Sequence, residues 1–149
     1  MYSYLYLNAD QVMDIHDYVL VLSWWLSGIA KPWLIDSTLD FVQSDDYYPS
    51  FADKVSYLLY SIAMNHCFVD GNKRTALVTA MQFILLNTND ADMASRFMRE
   101  FENIIVWVAD NSLSKTTLTE YVASFVSNYD DRTSVLLKVY QELHAHNLV

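Results

Sequence analysis

The sequence His-Cys-Phe-Val-Asp-Gly-Asn-Lys-Arg occupies residues 66–74, near the middle of a chain of 149 residues. It places an imidazole, a carboxylate, a glycine, an amide and two cations close together. Apolar residues recur at helical spacing on both sides, which predicts amphipathic helices over residues 51–65 and 72–87. We therefore expect a polar loop that joins two central helices and runs directly into the start of the second.

The second half of this loop has the composition of an anion site. At a helix N-terminus the first backbone N–H groups have no partner within the helix, and the helix dipole favours negative charge. Gly71 allows the backbone to approach an anion closely. Asn72, Lys73 and Arg74 add an amide and two positive charges. The pattern predicts a cradle for the phosphate groups of a nucleotide.

The first half of the loop supplies the chemistry. Asp70 is expected to hold Mg²⁺, which usually takes one or two carboxylates together with phosphate oxygens, although Asp is also a common helix cap. His66 is suited to move a proton near neutral pH, although a lone imidazole there would be read as a cap of the preceding helix. Phe68 is expected to anchor the loop in the core. Cys67 has no neighbour that stabilises a thiolate and is expected to be inert.

Composition predicts one soluble, all-α domain over residues 1–149. Hydrophobic residues make up 53% of the chain, and two glycines and two prolines favour long helices over many turns. The net charge of -9 disfavours a surface that binds nucleic acid, which requires clustered Lys and Arg. One cysteine cannot form an internal disulfide, no N-terminal signal is visible, and the apolar runs are too short for a bilayer. These features predict a cytoplasmic protein without a membrane segment.

Capping signals and apolar periodicity divide the rest of the chain into helices. The capping pairs are Asn8 with Gln11, Ser50 with Asp53, and Thr117 with Glu120, and Asp36 is expected to cap a short helix. The remaining predicted helices span residues 8–26, 36–42, 94–109, 117–126 and 133–146. The last of them could pack on the body of the domain, form a homodimer or bind a partner.

Two features of the first third of the chain have structural interpretations. His16 lies among the apolar positions of the first helix and is expected to be hydrogen-bonded at a packing boundary. Trp24, Trp25 and Trp33 surround a break at Gly28 and Pro32, and we expect them to fill the core or an interface.

The central motif resembles the signature of the Fic/Doc family. Weaker echoes are Ile15-His16-Asp17 and Tyr48-Pro49-Ser50, and the resemblance covers about residues 5–128, which excludes the last helix. The seven matched positions are His66, Phe68, Asp70, Gly71, Asn72, Lys73 and Arg74. The resemblance implies a helical bundle, with residues 43–49 as a flap that holds a target peptide before the central helix.

The resemblance also implies roles for the motif residues. His66 would take a proton from a hydroxyl of a target protein, and Asp70 would coordinate the magnesium that bridges the phosphates of ATP. The phosphate oxygens would be contacted by Gly71, Asn72, Lys73 and Arg74. AMP-transferring members have glycine where this chain has Lys73, and a second arginine where it has Leu77.

These two departures are similar to the death-on-curing (Doc) branch. The resemblance then implies a toxin that transfers the γ-phosphate of ATP to a threonine of elongation factor Tu and halts translation. Residues 116–120 fit the self-inhibitory helix of some Fic proteins only loosely, so a separate small antitoxin is expected. The alternatives are an AMP transferase in which Arg96 or Arg99 compensates for Leu77, and a binding module without catalysis.

Overall fold

A computed structural model describes residues 3–23, 28–29, 31–127 and 131–146 of the chain. These residues form seven α-helices and no strand beyond a single β-bridge, which confirms the all-α prediction. No helix among them is both long and apolar enough to cross a membrane. The helices are α1 (Ala9–Ser23), α2 (Pro32–Phe41), α3 (Phe51–Met64), α4 (Asn72–Thr88), α5 (Ala91–Ala109), α6 (Lys115–Val126) and α7 (Arg132–Ala145).

The core is built around α3 and α4, the two helices that flank the motif loop. α3 packs most extensively on α4, and α4 packs in turn on α5. α6 covers another side of α3, α1 lies on α4, and α2 lies on α3. Because α3 and α4 are buried among the other helices, the loop between them has a rigid support on both sides.

Two of the predicted capping boxes are present. The side chain of Asn8 accepts from the Gln11 N–H at 2.9 Å, and the Gln11 side chain accepts from the Asn8 N–H at 2.8 Å. Ser50 and Asp53 exchange the equivalent bonds at 3.0 and 3.1 Å and start α3. These signals are local in sequence, so the starts of α1 and α3 are where the sequence predicts them.

The predicted start of the second helix is wrong, because the helix begins earlier in the chain. α2 begins at Pro32, four residues before the expected cap Asp36, and its N-cap Lys31 forms no side-chain cap. Pro32 therefore starts a helix, where a break was predicted. Proline suits the first helical position because its φ is already helical and its missing N–H would have no partner there. Trp33 is 63% exposed and so does not fill the core of this chain, while Trp24 and Trp25 lie outside the described residues.

A buried lysine fixes the connection between α2 and α3, the segment expected to be a flap. Lys54 is 0% exposed, and its ammonium group donates to the Val42 carbonyl at 3.0 Å and pairs with Asp45 at 2.9 Å. Burial lowers the pKa of Lys54, but hydrogen bonds to Asp45 and Tyr6 outweigh it, and the net pKa lies above the ordinary value. The charged lysine therefore holds the beginning of this connection against α3.

The last helix packs on the body of the domain, the first of its three expected placements. Its residues Val135, Val139 and Leu143 are buried. Lys138 pairs with Glu120 of α6 at 2.7 Å. Glu120 is therefore not available for the capping box predicted with Thr117.

The actual cap of α6 comes from two places in the chain. α6 begins at Lys115, and the N-cap Ser114 accepts from the Thr117 N–H at 3.1 Å. Glu142 of α7 accepts from the Ser114 N–H at 2.6 Å, from the Ser114 hydroxyl at 2.9 Å and from the Thr117 hydroxyl. Because one carboxylate from α7 completes the cap of α6, the two helices stabilise each other.

The substitution Glu142→Gln should destabilise the protein at neutral pH and less so in acid. Burial raises the pKa of Glu142, but hydrogen bonds from Thr117 and Ser114 lower it below its ordinary value of 4.5. The stabilisation is therefore present above pH 4.5 and is lost as the pH falls through the lowered pKa. We expect a loss of about 1 to 3 kcal/mol in the free energy of unfolding at pH 7, measured by urea denaturation. The exposed carboxylate Asp36, changed to Asn, is the control, and an equal loss at every pH would contradict this account.

Candidate active site

The motif loop begins with a turn that presents His66 to solvent. α3 ends at Met64 with Asn65 as C-cap, and His66 follows with φ of 52°. A left-handed residue commonly ends a helix by turning the chain away from its axis, at a cost of about 1 to 2 kcal/mol for a residue other than glycine. The imidazole is exposed, so it can reach a substrate placed beside the loop.

Phe68 lies at the centre of the loop and is buried in the core. Its side chain is 1% exposed, and its ring stacks on the ring of His16 with the centroids 3.7 Å apart. Cys67 beside it is fully buried, and burial raises the pKa of its thiol. The thiol therefore stays protonated at neutral pH, in agreement with the expectation that Cys67 is inert.

Asn72 has a structural role that the sequence did not predict. Its side-chain oxygen accepts from the Phe68 N–H at 3.0 Å, and its side-chain nitrogen donates to the Phe68 carbonyl at 2.9 Å. The amide thereby satisfies both backbone groups of a buried residue that has no helix partner. The second N–H of the same amide remains available for a phosphate, so the predicted contact stays a prediction.

The loop is also paired with the segment between α1 and α2. The Val69 N–H donates to the Gly28 carbonyl at 3.1 Å, and the Lys31 N–H donates to the Cys67 carbonyl at 3.0 Å. Between these two bonds Ile29 and Phe68 form an antiparallel β-bridge. The motif loop is therefore held by backbone bonds from a distant part of the chain.

The start of α4 has no side-chain cap. Gly71 is the N-cap with φ of 79°, and no side chain caps the first N–H groups of the helix. One oxygen of the Asp70 carboxylate accepts from the Gly71 N–H at 2.8 Å. Among the described residues, the Asp70 carboxylate accepts no hydrogen bond from an N–H group within α4, and its other oxygen makes no hydrogen bond. The N-terminus of α4 has the features of an anion site, with a carboxylate at its edge.

A cavity of about 360 Å³ brings most of the predicted site residues together. The C-terminal end of α5 forms the opposite wall with Val106, Ala109 and Asp110. The motif residues that line the cavity are His66, Asp70, Gly71, Asn72 and Lys73. A base, a carboxylate, a cation and an open helix N-terminus therefore share one concave surface, which suits the binding of a phosphorylated substrate.

Arg74 points away from this cavity. It lines a smaller adjoining groove between α4 and α5, where it pairs with Glu102 at 3.7 Å. Asp110, by contrast, lines the main cavity, although the sequence predicted only a loop there. No sequence signal could identify it, because its place in the site depends on how α5 packs against α4.

The donor set suits a magnesium ion that is bound together with a nucleotide. Within the described residues no group of three or more His, Cys, Asp or Glu side chains could hold a metal ion. Mg²⁺ needs no such group when phosphate oxygens and water supply most of its ligands. The free oxygen of Asp70 is one protein ligand that the cavity offers, and Asp110 is a second carboxylate residue in its lining.

Comparison with known proteins agrees with the motif. The model of the Fic/DOC family matches residues 27–85, which include the whole loop and its pairing partner at Ile29. A stretch of 83 residues is 36% identical to the protein named Toxin Doc of Mycolicibacterium smegmatis. The resemblance to the Fic/Doc family, on its Doc side, is confirmed. The matched stretch covers 55% of this chain and 62% of the Mycolicibacterium toxin, so the chain spans less than two thirds of that relative.

Gly28 lies close to the motif loop, where its carbonyl accepts from the Val69 N–H. Gly28 has φ of +133°, and a Cβ built on it would lie 3.0 Å from a methyl group of Val69. We expect Gly28→Ala to lower the free energy of unfolding by about 1 to 3 kcal/mol, measured by urea denaturation. In the double variant with Val69→Ala the crowding is relieved and only the backbone strain remains, so the loss should be smaller. An unchanged free energy in the single variant would contradict this account.

Proposed function

We propose that this protein is a Doc-type toxin kinase that transfers the γ-phosphate of ATP to a hydroxyl group of a target protein. The observation that carries the proposal is the shared cavity of His66, Asp70 and the open N-terminus of α4. The resemblance to a protein named Toxin Doc supports the same branch. The proposed target is a threonine of elongation factor Tu, so that the reaction arrests translation in the cytoplasm.

The cavity can perform this transfer by positioning and charge neutralisation. His66 accepts the proton of the target hydroxyl while the hydroxyl oxygen bonds to the γ-phosphorus of ATP. The bond from that phosphorus to the β–γ bridging oxygen breaks, and ADP leaves. The N–H groups at the start of α4, together with Lys73, bind the phosphate oxygens. Magnesium bound at Asp70 would neutralise part of the phosphate charge.

The position of the cations favours phosphate transfer over AMP transfer. Leu77, which occupies the place of the second arginine, is only 3% exposed and belongs to the core. Neither arginine proposed to compensate for it lines the cavity. Both arginines form hydrogen bonds within α5. Arg96 donates to the Asp92 carboxylate at 3.1 Å, and Arg99 donates to the Ser95 hydroxyl at 3.1 Å. Lys73 occupies the space where AMP-transferring relatives have glycine.

The structure around α6 supports control by a separate protein. Glu120, the residue that would carry self-inhibition, is paired with Lys138 of α7 at 2.7 Å. It does not line the catalytic cavity. We therefore propose that a small antitoxin restrains the toxin, and that residues 43–49, between α2 and α3, receive the target peptide.

The proposed reaction is tested with purified protein, magnesium and elongation factor Tu. ATP is labelled in parallel on the α- or the γ-phosphate, and the label that enters the factor is measured. We expect transfer of the γ-label alone. His66→Ala should lower its rate by about 100-fold or more, because general base catalysis contributes on that scale.

The other outcomes of this assay would contradict parts of the proposal. Transfer of the α-label would identify an AMP transferase and would mean that Lys73 does not block the AMP-type pose. Equal transfer by the His66→Ala variant would remove His66 as the base. A lack of transfer to any protein of a whole lysate would favour a binding module without catalysis. Cys67→Ser, a change at a buried position of the same loop that contacts no substrate, is the matched control and should retain the activity.

A further inference from the structure

His16 of α1 touches the motif loop at two points, and the proposed reaction gives it no task. Its side chain is buried, with 2% of the residue exposed. Its Nε2 atom lies 2.8 Å from the backbone carbonyl oxygen of Asp70, 54 residues away in the chain. Its ring stacks on Phe68 with an angle of 9° between the ring planes. The residue therefore connects α1 to the anchor of the loop and to its carboxylate residue.

The direction of the hydrogen bond follows from its acceptor. A carbonyl oxygen can only accept, so the Nε2 atom of His16 must carry the hydrogen. The other ring nitrogen lies 3.9 Å from a carboxylate oxygen of Asp17, which is too far for a hydrogen bond. The Asp70 carbonyl is therefore the group that fixes the orientation of this imidazole.

The bond to His16 controls the peptide group between Asp70 and Gly71. The oxygen and the N–H of a trans peptide point in opposite directions, so holding the Asp70 oxygen also aims the Gly71 N–H. That N–H donates to the carboxylate of Asp70 at 2.8 Å. Glycine adopts either sign of φ at little cost, so this peptide can rotate more easily than its neighbours in the loop. The neighbouring groups at Phe68 and Val69 are held by Asn72 and by the segment before α2.

We propose that His16 is a positioning residue for the nucleotide site. By holding the Asp70 carbonyl it keeps the Gly71 N–H and the Asp70 carboxylate in the arrangement that receives magnesium and ATP. It touches neither substrate nor metal itself. The choice of magnesium and ATP as the ligands rests on the proposed function. The effect of His16 on the peptide between Asp70 and Gly71 does not depend on that function.

The test uses nuclear magnetic resonance of protein labelled with isotopic glycine, because the chain contains only two glycines. His16→Phe keeps a ring that can stack on Phe68 but removes the donor. His16→Gln places an N–H donor at a similar distance from the backbone. We expect amide exchange of Gly71 with solvent to be about five- to tenfold faster in His16→Phe and to return toward the original rate in His16→Gln. The Gly28 signal is the internal control for a general loosening of the fold.

A second readout connects the peptide to binding. The concentration of magnesium and ATP that half-saturates the shift of the Gly71 signal should rise about fivefold or more in His16→Phe and recover in His16→Gln. Asp17→Asn, which leaves the Nε2 donor in place, should change neither measurement. If magnesium and ATP leave the Gly71 signal of the unsubstituted protein unchanged, the proposed function fails, and the exchange rates still decide the role of His16.

Two results would overturn the proposal. One is a Gly71 exchange rate in His16→Phe equal to that of the unsubstituted protein. The other is a His16→Gln variant as impaired as His16→Phe, which would mean that ring packing and not the donor matters. If His16→Phe does not fold, the hydrogen on Nε2 of His16 can be observed directly in the unsubstituted protein. The proposal requires that hydrogen to be present and slow to exchange, and its absence would refute the proposal.

Discussion

The burial of Phe68 is the constraint on which the rest of the site depends. A polar loop of this composition gains little by folding on its own, since ordering each residue costs about 1 to 2 kcal/mol of backbone entropy. Burying one phenyl ring contributes about 1.5 to 3 kcal/mol. The amide of Asn72 then satisfies the backbone of Phe68, so that this burial leaves neither group of its backbone unpaired. With Phe68 fixed, the polar residues on either side are held at the surface.

The site follows from this anchor and from the helices on both sides. His66 leaves α3 in a left-handed turn, and Gly71 begins α4 in another. Between them, Asp70 stands beside helix N–H groups that no side chain caps. The two cations that follow lie in different places. Lys73 lines the cavity, and Arg74 lines the adjoining groove. Only one of these two cations therefore lies in the cavity, in a chain whose net charge is -9.

Features encoded by neighbouring residues could be predicted from the sequence, and features that depend on distant contacts could not. The caps of α1 and α3 are formed within four residues, and the motif residues of the cavity lie within eight positions of one another. The cap of α6 needs Glu142 from α7, and the cavity needs Asp110 from α5. Lys54 looks like a surface residue in sequence, yet tertiary contacts with Asp45 make its burial possible.

The most direct test of the central claim is a crystal structure of the protein with magnesium and a non-hydrolysable ATP analogue. We expect the triphosphate at the N-terminus of α4, with the γ-phosphate nearest to His66. The metal should lie about 2.0 to 2.1 Å from an Asp70 oxygen, the usual distance for Mg²⁺. A triphosphate bound outside the cavity, or one with its α-phosphate nearest to His66, would contradict the account.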